Sequence, residues 1–285
     1  MTRLRDAIDS AAVVFADAGI DSARYDAEEL AAHAAGTDRG RLTLLDAPGD
    51  DFFARYRDLV SARRSRIPLQ HLIGSAAFGP VTLQVGPGVF VPRPETEAML
   101  EWALRHAAAH QLPDRPVIVD ACTGSGALAI ALAHGIADAR VIALDDCESA
   151  LRYARRNCAG TPVEVIRADA TAPGLLPELD GAVDLLVSNP PYVPDGAQLD
   201  PEVAQHDPEH ALFGGPDGMS VITPLAKLAA RLLRPGGRFA VEHDDTTAAT
   251  TVHTVRGTGY FDDVVSRTDL TGRSRFVTAV RNDRP

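Results

Sequence analysis

Pro116-Val117-Ile118-Val119-Asp120-Ala121-Cys122-Thr123-Gly124-Ser125-Gly126 is the stretch on which the fold turns. Val117, Ile118 and Val119 show no polar–apolar alternation, so a strand here is buried on both faces, as in a parallel sheet covered by helices. It ends in an acid and a loop of small residues, and residues 127–134 then read as a helix. A strand, a small-residue loop and a helix open a doubly wound α/β sheet, with backbone able to approach a ligand at the strand's carboxyl end. The alternation continues downstream. Strands are expected at 140–144, 162–167, 183–188, 237–243, 260–266 and 275–280, with helices at 148–158 and 219–233 among the intervening stretches. Residues 267–274 are polar and hold no helix, so a terminal hairpin should give a mostly parallel, seven-stranded sheet with an antiparallel last strand.

Upstream the pattern differs. Leu4, Ile8, Ala11, Ala12 and Phe15 recur at helical spacing, and Gly19, Gly36 and Pro48-Gly49 punctuate the run to residue 67. This reads as a small bundle of four or five helices over 1–73. Between 78 and 91 short apolar runs alternate with Gly79-Pro80 and Gly86-Pro87-Gly88, the mark of a β-hairpin. The expected division is therefore a helical bundle over 1–73, a hairpin linker over 74–92 and an α/β domain over 93–285.

Charge narrows the partners. The net charge is -11, of which 10 Arg against 12 acids over residues 1–75 leave -9 for residues 76–285. That is the wrong sign for a chain that binds nucleic acid directly. Arg55, Arg57, Arg63, Arg64 and Arg66 form the one basic run, read as the solvated face of a helix, with a docking patch as the sharper alternative. No apolar run approaches the ~18 residues a membrane span needs, and the opening Met1-Thr2-Arg3-Leu4-Arg5-Asp6 lacks a signal peptide's apolar stretch. Cys122, Cys147 and Cys158 are too few and too scattered for a disulfide framework or a zinc cluster. His71, His206, His210 and His243 show no metal-ligand spacing. The expectation is a cytoplasmic, monomeric protein with neither metal nor membrane.

The carboxyl edge of the sheet carries the candidate chemistry. Asp145 closes the second strand of this sheet 19 residues after Gly126, where an acid accepts both hydroxyls of an adenosine ribose. Asp169, after the third, meets an adenine edge or caps its own turn. Asp120 bonds the loop or contacts a cofactor ammonium, or does both. Because Cys122 occupies a first glycine's place, and the residue three beyond Gly126 is Ala129, the loop does not choose between a dinucleotide and S-adenosylmethionine. No His, Lys or Arg neighbours Cys122 in sequence, so it reads as a small loop filler rather than a nucleophile.

Ser188-Asn189-Pro190-Pro191-Tyr192 then ends the fourth strand. Two prolines fix φ and remove two N–H donors, leaving carbonyl oxygens in set directions. Asn189 adds a side-chain acceptor, and Tyr192 a flat wall. Two acceptors at one corner suit a planar NH2. A carboxamide nitrogen is a poor nucleophile; bonds from its N–H groups to Asn189 Oδ1 and the Pro190 carbonyl stabilise the positive charge that develops on nitrogen. Aligning its lone pair with an activated methyl is then a problem of orientation.

On these residues the chain resembles the S-adenosylmethionine-dependent amino methyltransferases, and among them the glutamine methyltransferases of peptide chain release factors (the PrmC/HemK family). Pro68-Leu69-Gln70-His71-Leu72-Ile73-Gly74 resembles that family's hinge. Phe90-Val91-Pro92-Arg93-Pro94-Glu95-Thr96-Glu97 resembles its signature segment walling the cofactor pocket, and Asp217-Gly218 the turn before its late helix. The resemblance implies a Rossmann-like methyltransferase sheet and S-adenosyl-L-methionine as cofactor, giving S-adenosyl-L-homocysteine. Its cofactor site falls on Asp120, Cys122, Thr123, Gly124, Ser125, Gly126, Asp145, Asp169, Ala170 and Asn189. Its substrate clamp, also the catalytic set, falls on Asn189, Pro190, Pro191 and Tyr192. The implied substrate is the glutamine of the Gly-Gly-Gln loop in class-I peptide chain release factors, which the helical bundle would help recognise. Cys122 and Ala170 depart from the family pattern.

Three rivals stand beside this reading. A DNA adenine-amino methyltransferase uses a similar clamp but needs a basic surface to hold a flipped base. A decayed, non-catalytic scaffold is opposed by the intact clamp. A glutamine methyltransferase of a ribosomal protein would share the clamp, so only the bundle and hairpin separate it, by resemblance. Glu95 and Glu97 read as first-turn acids of a helix starting near Thr96; Trp102 reads as core, and Glu242 as a pocket acid or a loop anchor.

Overall fold

The computed structural model describes residues 2–45, 48–109 and 112–284. Two compact units emerge, one running up to Ser75 and including Leu199–His206, the other made of Ala76–Gln198 and the chain from Asp207 on.

The first unit is helical. It contains α1 (Thr2–Asp17), α2 (Ala23–Ala35), a 3-10 turn at Arg39–Leu44, α3 (Asp50–Arg64) and α4 (Leu69–Ile73). The spacing read from α1 is its buried stripe: Leu4, Ile8, Ala11 and Phe15 pack with Leu30 of α2 and with Phe52 and Tyr56 of α3. Gly36 ends α2 in the left-handed region at φ 64°, a standard glycine stop. The basic run on α3 is not uniformly a solvated face. Arg55, Arg57 and Arg64 are exposed, but Arg63 is buried, donating from Nε to Asp26 Oδ2 at 2.7 Å and from Nη1 to Glu202 Oε2 at 2.6 Å. Arg66 reaches Gly19 O at 2.5 Å and Asp200 Oδ1 at 2.7 Å. The segment holding Asp200 and Glu202 includes α8 (Pro201–His206).

The second unit, from Ala76, begins within a hairpin of β1 (Ser75–Phe78) and β2 (Val81–Gln84), turning at Gly79-Pro80. It is shorter than expected: residues 85–93 form no strand, because Pro87 and Pro92 remove ladder donors and Val85, Val89 and Val91 are buried without pairing. After a 3-10 turn at Pro94–Thr96 come α5 (Glu97–Ala109), β3 (Val117–Ala121), α6 (Ala127–Gly135), β4 (Arg140–Asp145), α7 (Glu148–Asn157), β5 (Val163–Arg167) and β6 (Val183–Ser188). The chain returns at α9 (Glu209–Leu212), then α10 (Ile222–Leu232), β7 (Leu233–Glu242), α11 (Ala248–Gly257), β8 (Phe261–Thr268) and β9 (Ser274–Arg281).

The sheet order is β5-β4-β3-β6-β7-β9-β8, with β9 antiparallel to both neighbours and the other pairings parallel. Both faces are covered. Ile118 and Ala240 face a core shared with α5 and α6, while Val119, Phe239 and Val241 face one shared with α10 and α11. That two-sided burial is why the strands read as unbroken apolar runs. The helix expected over 219–233 starts later, at Ile222, because Asp217 Oδ1 accepts the Met219 N–H at 3.0 Å and draws the preceding residues into a turn.

Candidate active site

Parallel register sets the strand ends side by side. Ala121 pairs with Leu144 on one side and Ser188 on the other, and Ser188 pairs with Val241. The residues after those positions therefore line up along the carboxyl edge. There a cavity of about 420 Å³ is lined by Asp120, Cys122, Thr123, Gly124, Ser125, Asp145, Asp169, Ala170, Asn189, Pro190, Pro191 and Tyr192. Of the residues expected to form the site, Gly126 alone is not in the wall. It caps α6 at φ 88°, where an added Cβ would meet Cys158 Sγ at 3.3 Å.

The acids divide the work. Asp120 is fully buried; its Oδ2 accepts from Thr123 Oγ1 at 2.6 Å and from the Ala129 N–H at 3.0 Å, fixing the loop. Its Oδ1 is buried with no partner among the described residues. Burial pushes its carboxyl up to about 7 against those bonds, with nearby Asp145 adding to the rise. Asp145 accepts the Cys147 N–H through Oδ1 at 2.9 Å and the Gly124 N–H through Oδ2 at 2.8 Å. A carboxylate has about four lone-pair positions, so it keeps capacity for ligand hydroxyls. Asp169 caps its own turn, its Oδ1 accepting from the Thr171 N–H at 2.7 Å and Thr171 Oγ1 at 2.6 Å, and it also lines the cavity. Cys122 has φ 59°, in the region that favours glycine, which is why this loop position invites one. Burial pushes its thiol well up, the opposite of an activated thiolate.

The Asn189–Tyr192 corner is held from behind. Ser188 Oγ donates to Ala121 O at 2.7 Å, tying the strand end to β3. Val193 N–H donates to Leu212 O at 2.8 Å and Gly214 N–H to Val193 O at 2.9 Å, seating Pro191-Tyr192 on the Gly214–Gly218 turn. Gly218, at φ 74°, lies so close that a Cβ would fall 2.3 Å from Tyr192 O. Asn189 Nδ2 donates to Thr96 Oγ1 at 3.1 Å. Neither Asn189 Oδ1 nor the Pro190 carbonyl accepts a hydrogen bond among the described residues. Thr96 thus supports Asn189, and the helix expected near it starts at Glu97.

Several lining residues escaped the sequence reading: Pro208, His210, Ala211, Leu212 and Phe213 form a wall. Only tertiary structure brings them there. Arg93 forms an ion pair with Asp207 and lies 4.9 Å over the Phe90 ring, which lines the same cavity. No helix among the described residues is long and apolar enough to cross a membrane.

A seven-stranded sheet of this order, with a small-residue loop, acids and an Asn-Pro-Pro-Tyr corner on one edge, defines a Rossmann-like methyltransferase. A methyltransferase domain model matches residues 118–200, and a PrmC N-terminal domain model matches residues 6–74. A solved methyltransferase from Pyrococcus furiosus shares the fold, with a TM-score of 0.52 and 18% identity over 78% of this chain and 99% of that one. Among curated relatives, a release factor glutamine methyltransferase of Mycobacterium tuberculosis is 68% identical over 98% of this chain and 91% of its own length. The 4-amino-L-phenylalanine/4-methylamino-L-phenylalanine methyltransferase of Streptomyces pristinaespiralis is 39% identical over 98% and 95%. The chain belongs to the release factor glutamine methyltransferase family.

Proposed function

We propose that this enzyme transfers a methyl group from S-adenosyl-L-methionine to the side-chain amide nitrogen of the glutamine in the Gly-Gly-Gln loop of class-I peptide chain release factors. The observation that carries this is the corner itself. Asn189 is anchored through its NH2, which leaves its carbonyl oxygen without a partner among the described residues, and Asn189 and Pro190 line the same cavity as Asp120 and Asp145.

The residues fit the donor. The unpaired Asp120 Oδ1 suits the ammonium of its methionine moiety, Asp145 the ribose hydroxyls, and the Cys122–Ser125 backbone close approach. Bound there, S-adenosyl-L-methionine supplies a methyl carbon on a positively charged sulfur. Asn189 Oδ1 and the Pro190 carbonyl grip the two amide hydrogens, favouring the pyramidal nitrogen of the transition state over the planar ground state. Tyr192 walls the substrate in. As the N–C bond forms the S–C bond breaks, and the N-methylated amide then loses one proton to water, so no strong base is required.

The helical unit is read as the element that recognises the release factor, and the excess of acids as suited to a basic, RNA-facing partner. A relative acting on an arylamine fits the same logic, because two acceptors grip an NH2 whatever carries it. The test uses labelled S-adenosyl-L-methionine and a purified release factor, with its loop glutamine intact or replaced. Transfer should need the glutamine; transfer that survives its replacement rejects the target. Asn189→Ala should lower turnover about 10²–10³-fold while S-adenosyl-L-homocysteine binds within about threefold of wild type.

A further inference from the structure

Glu242 ends β7 and lines no part of the cavity. Because Ser188 pairs with Val241, Asn189 and Glu242 are the next residues off two neighbouring parallel strands. Glu242 is 1% exposed. Its Oε2 accepts from Thr96 Oγ1 at 2.8 Å, and its Oε1 accepts from the Tyr192 hydroxyl at 2.9 Å. Thr96 Oγ1 in turn accepts from Asn189 Nδ2.

We propose that Glu242 is a positioning residue that sets which end of the Asn189 amide faces the substrate. The proposal rests on the methyl-transfer reading above and deepens it. A hydroxyl carries one proton, and an ionised carboxylate only accepts. The Thr96 proton is therefore committed to Glu242, so Thr96 presents only a lone pair to Asn189. Only the NH2 end of the amide satisfies a lone pair. Asn189 Oδ1 is thereby turned away from Thr96, free to accept from the substrate NH2. Without the carboxylate, Thr96 is free to donate to Asn189 Oδ1; the amide then rotates by half a turn and meets the substrate with a donor against a donor. The same carboxylate fixes the Tyr192 hydroxyl, and with it the ring that walls the substrate. One buried charge thus determines the polarity of the clamp through a chain of two hydrogen bonds.

Protonation acts in the same way as removal, since a protonated Glu242 becomes able to donate to Thr96. Burial is the main cause of its raised pKa, with Glu95 on the 3-10 turn adding to the rise. The Thr96 and Tyr192 hydroxyls and Arg275 of β9 oppose it, and the carboxyl lies at about 7. Arg275 is itself held by Asp269 at 3.3 Å.

The experiment has two readouts. In side-chain amide NMR of the whole chain, the Asn189 NH2 signals should shift with a midpoint near pH 7 in wild type and stay flat in Glu242→Gln and Glu242→Met. In methyl transfer to the release factor, wild-type kcat should fall on the acid side of about pH 7 (the acid limb), and Glu242→Met should lower kcat about 10- to 100-fold and abolish that limb. S-adenosyl-L-homocysteine should still bind within about twofold. Thr96→Val should lose a similar amount, Thr96→Ser should restore turnover, and Glu242→Met with Thr96→Val should be no worse than either alone. Asn189 signals that do not move between pH 6 and 8, or a Glu242→Met enzyme that keeps wild-type turnover and its acid limb, overturn the proposal. Should Glu242→Met fail to fold, Glu242→Gln and the wild-type titration still decide. A wild type whose Asn189 signals titrate but which moves no label to the release factor overturns the functional reading instead.

Discussion

Asp120 offers a quantitative check on the cofactor site. Its Oδ1 is buried and unpaired, and its carboxyl is held near 7, so about nine-tenths of the molecules carry a neutral Asp120 at pH 6. A ligand ammonium placed against Oδ1 selects the ionised form. Binding should therefore release a proton and tighten as pH rises, the sign required when the bound state holds fewer protons than the free one. With a midpoint near 7 the ionised fraction grows from about 0.09 at pH 6 to about 0.76 at pH 7.5, so the dissociation constant should fall about eightfold. S-adenosyl-L-homocysteine is the ligand of choice, because it keeps the ammonium but not the sulfonium charge. Titration calorimetry in buffers of differing ionisation heat reads both the affinity and the proton released. Asp120→Asn should bind more weakly at pH 7.5 and lose the dependence, which also separates Asp120 from His210 and Asp145 in the same wall. A wild-type affinity that is flat between pH 6 and 7.5, or a slope that persists in Asp120→Asn, refutes the ammonium contact.

Three further outcomes follow from the geometry. Gly218→Ala places a Cβ against Tyr192 O at φ 74°, so it should displace the clamp and lower kcat about 10²-fold while homocysteine-product binding stays within a few-fold; steady-state turnover beside calorimetry decides. Cys122→Gly should keep turnover within about threefold of wild type, since the thiol is held protonated and the backbone already adopts a glycine-favouring φ; a tenfold loss would give the thiol a role. Arg63→Leu strands the buried Asp26 carboxylate and should cost about 3–5 kcal/mol in urea unfolding, with Asp26→Asn recovering part of it; a change below about 1 kcal/mol would show that the pair is not stabilising.

Local patterns carried a great deal. Unbroken apolar runs at Val117-Ile118-Val119 and Leu185-Leu186-Val187 require burial on both faces, and that places the small-residue loop and the Asn-Pro-Pro-Tyr corner at the ends of parallel strands. Glycine and proline marked the breaks, since their backbone constraints are local. The pattern failed where two remote segments compete or cooperate. The hairpin stopped short because side-chain burial rather than ladder pairing claimed Val85, Val89 and Val91. Arg63 left the solvated set because Asp26, 37 residues away, shares its buried site.

The amino-acid order by itself therefore determined the doubly wound sheet and placed Asp120, Asp145 and the Asn-Pro-Pro-Tyr corner at its strand ends, because periodicity and strand-end chemistry are encoded residue by residue. Only the tertiary structure decided that Thr96, Tyr192 and Glu242 join Asn189 in one hydrogen-bonded group, that Asp120 keeps an oxygen unpaired among the described residues, and that Pro208, His210, Ala211, Leu212 and Phe213 line the cavity. Hydrogen-bond polarity and desolvation depend on partners far apart in the chain, and no local pattern carries that distance.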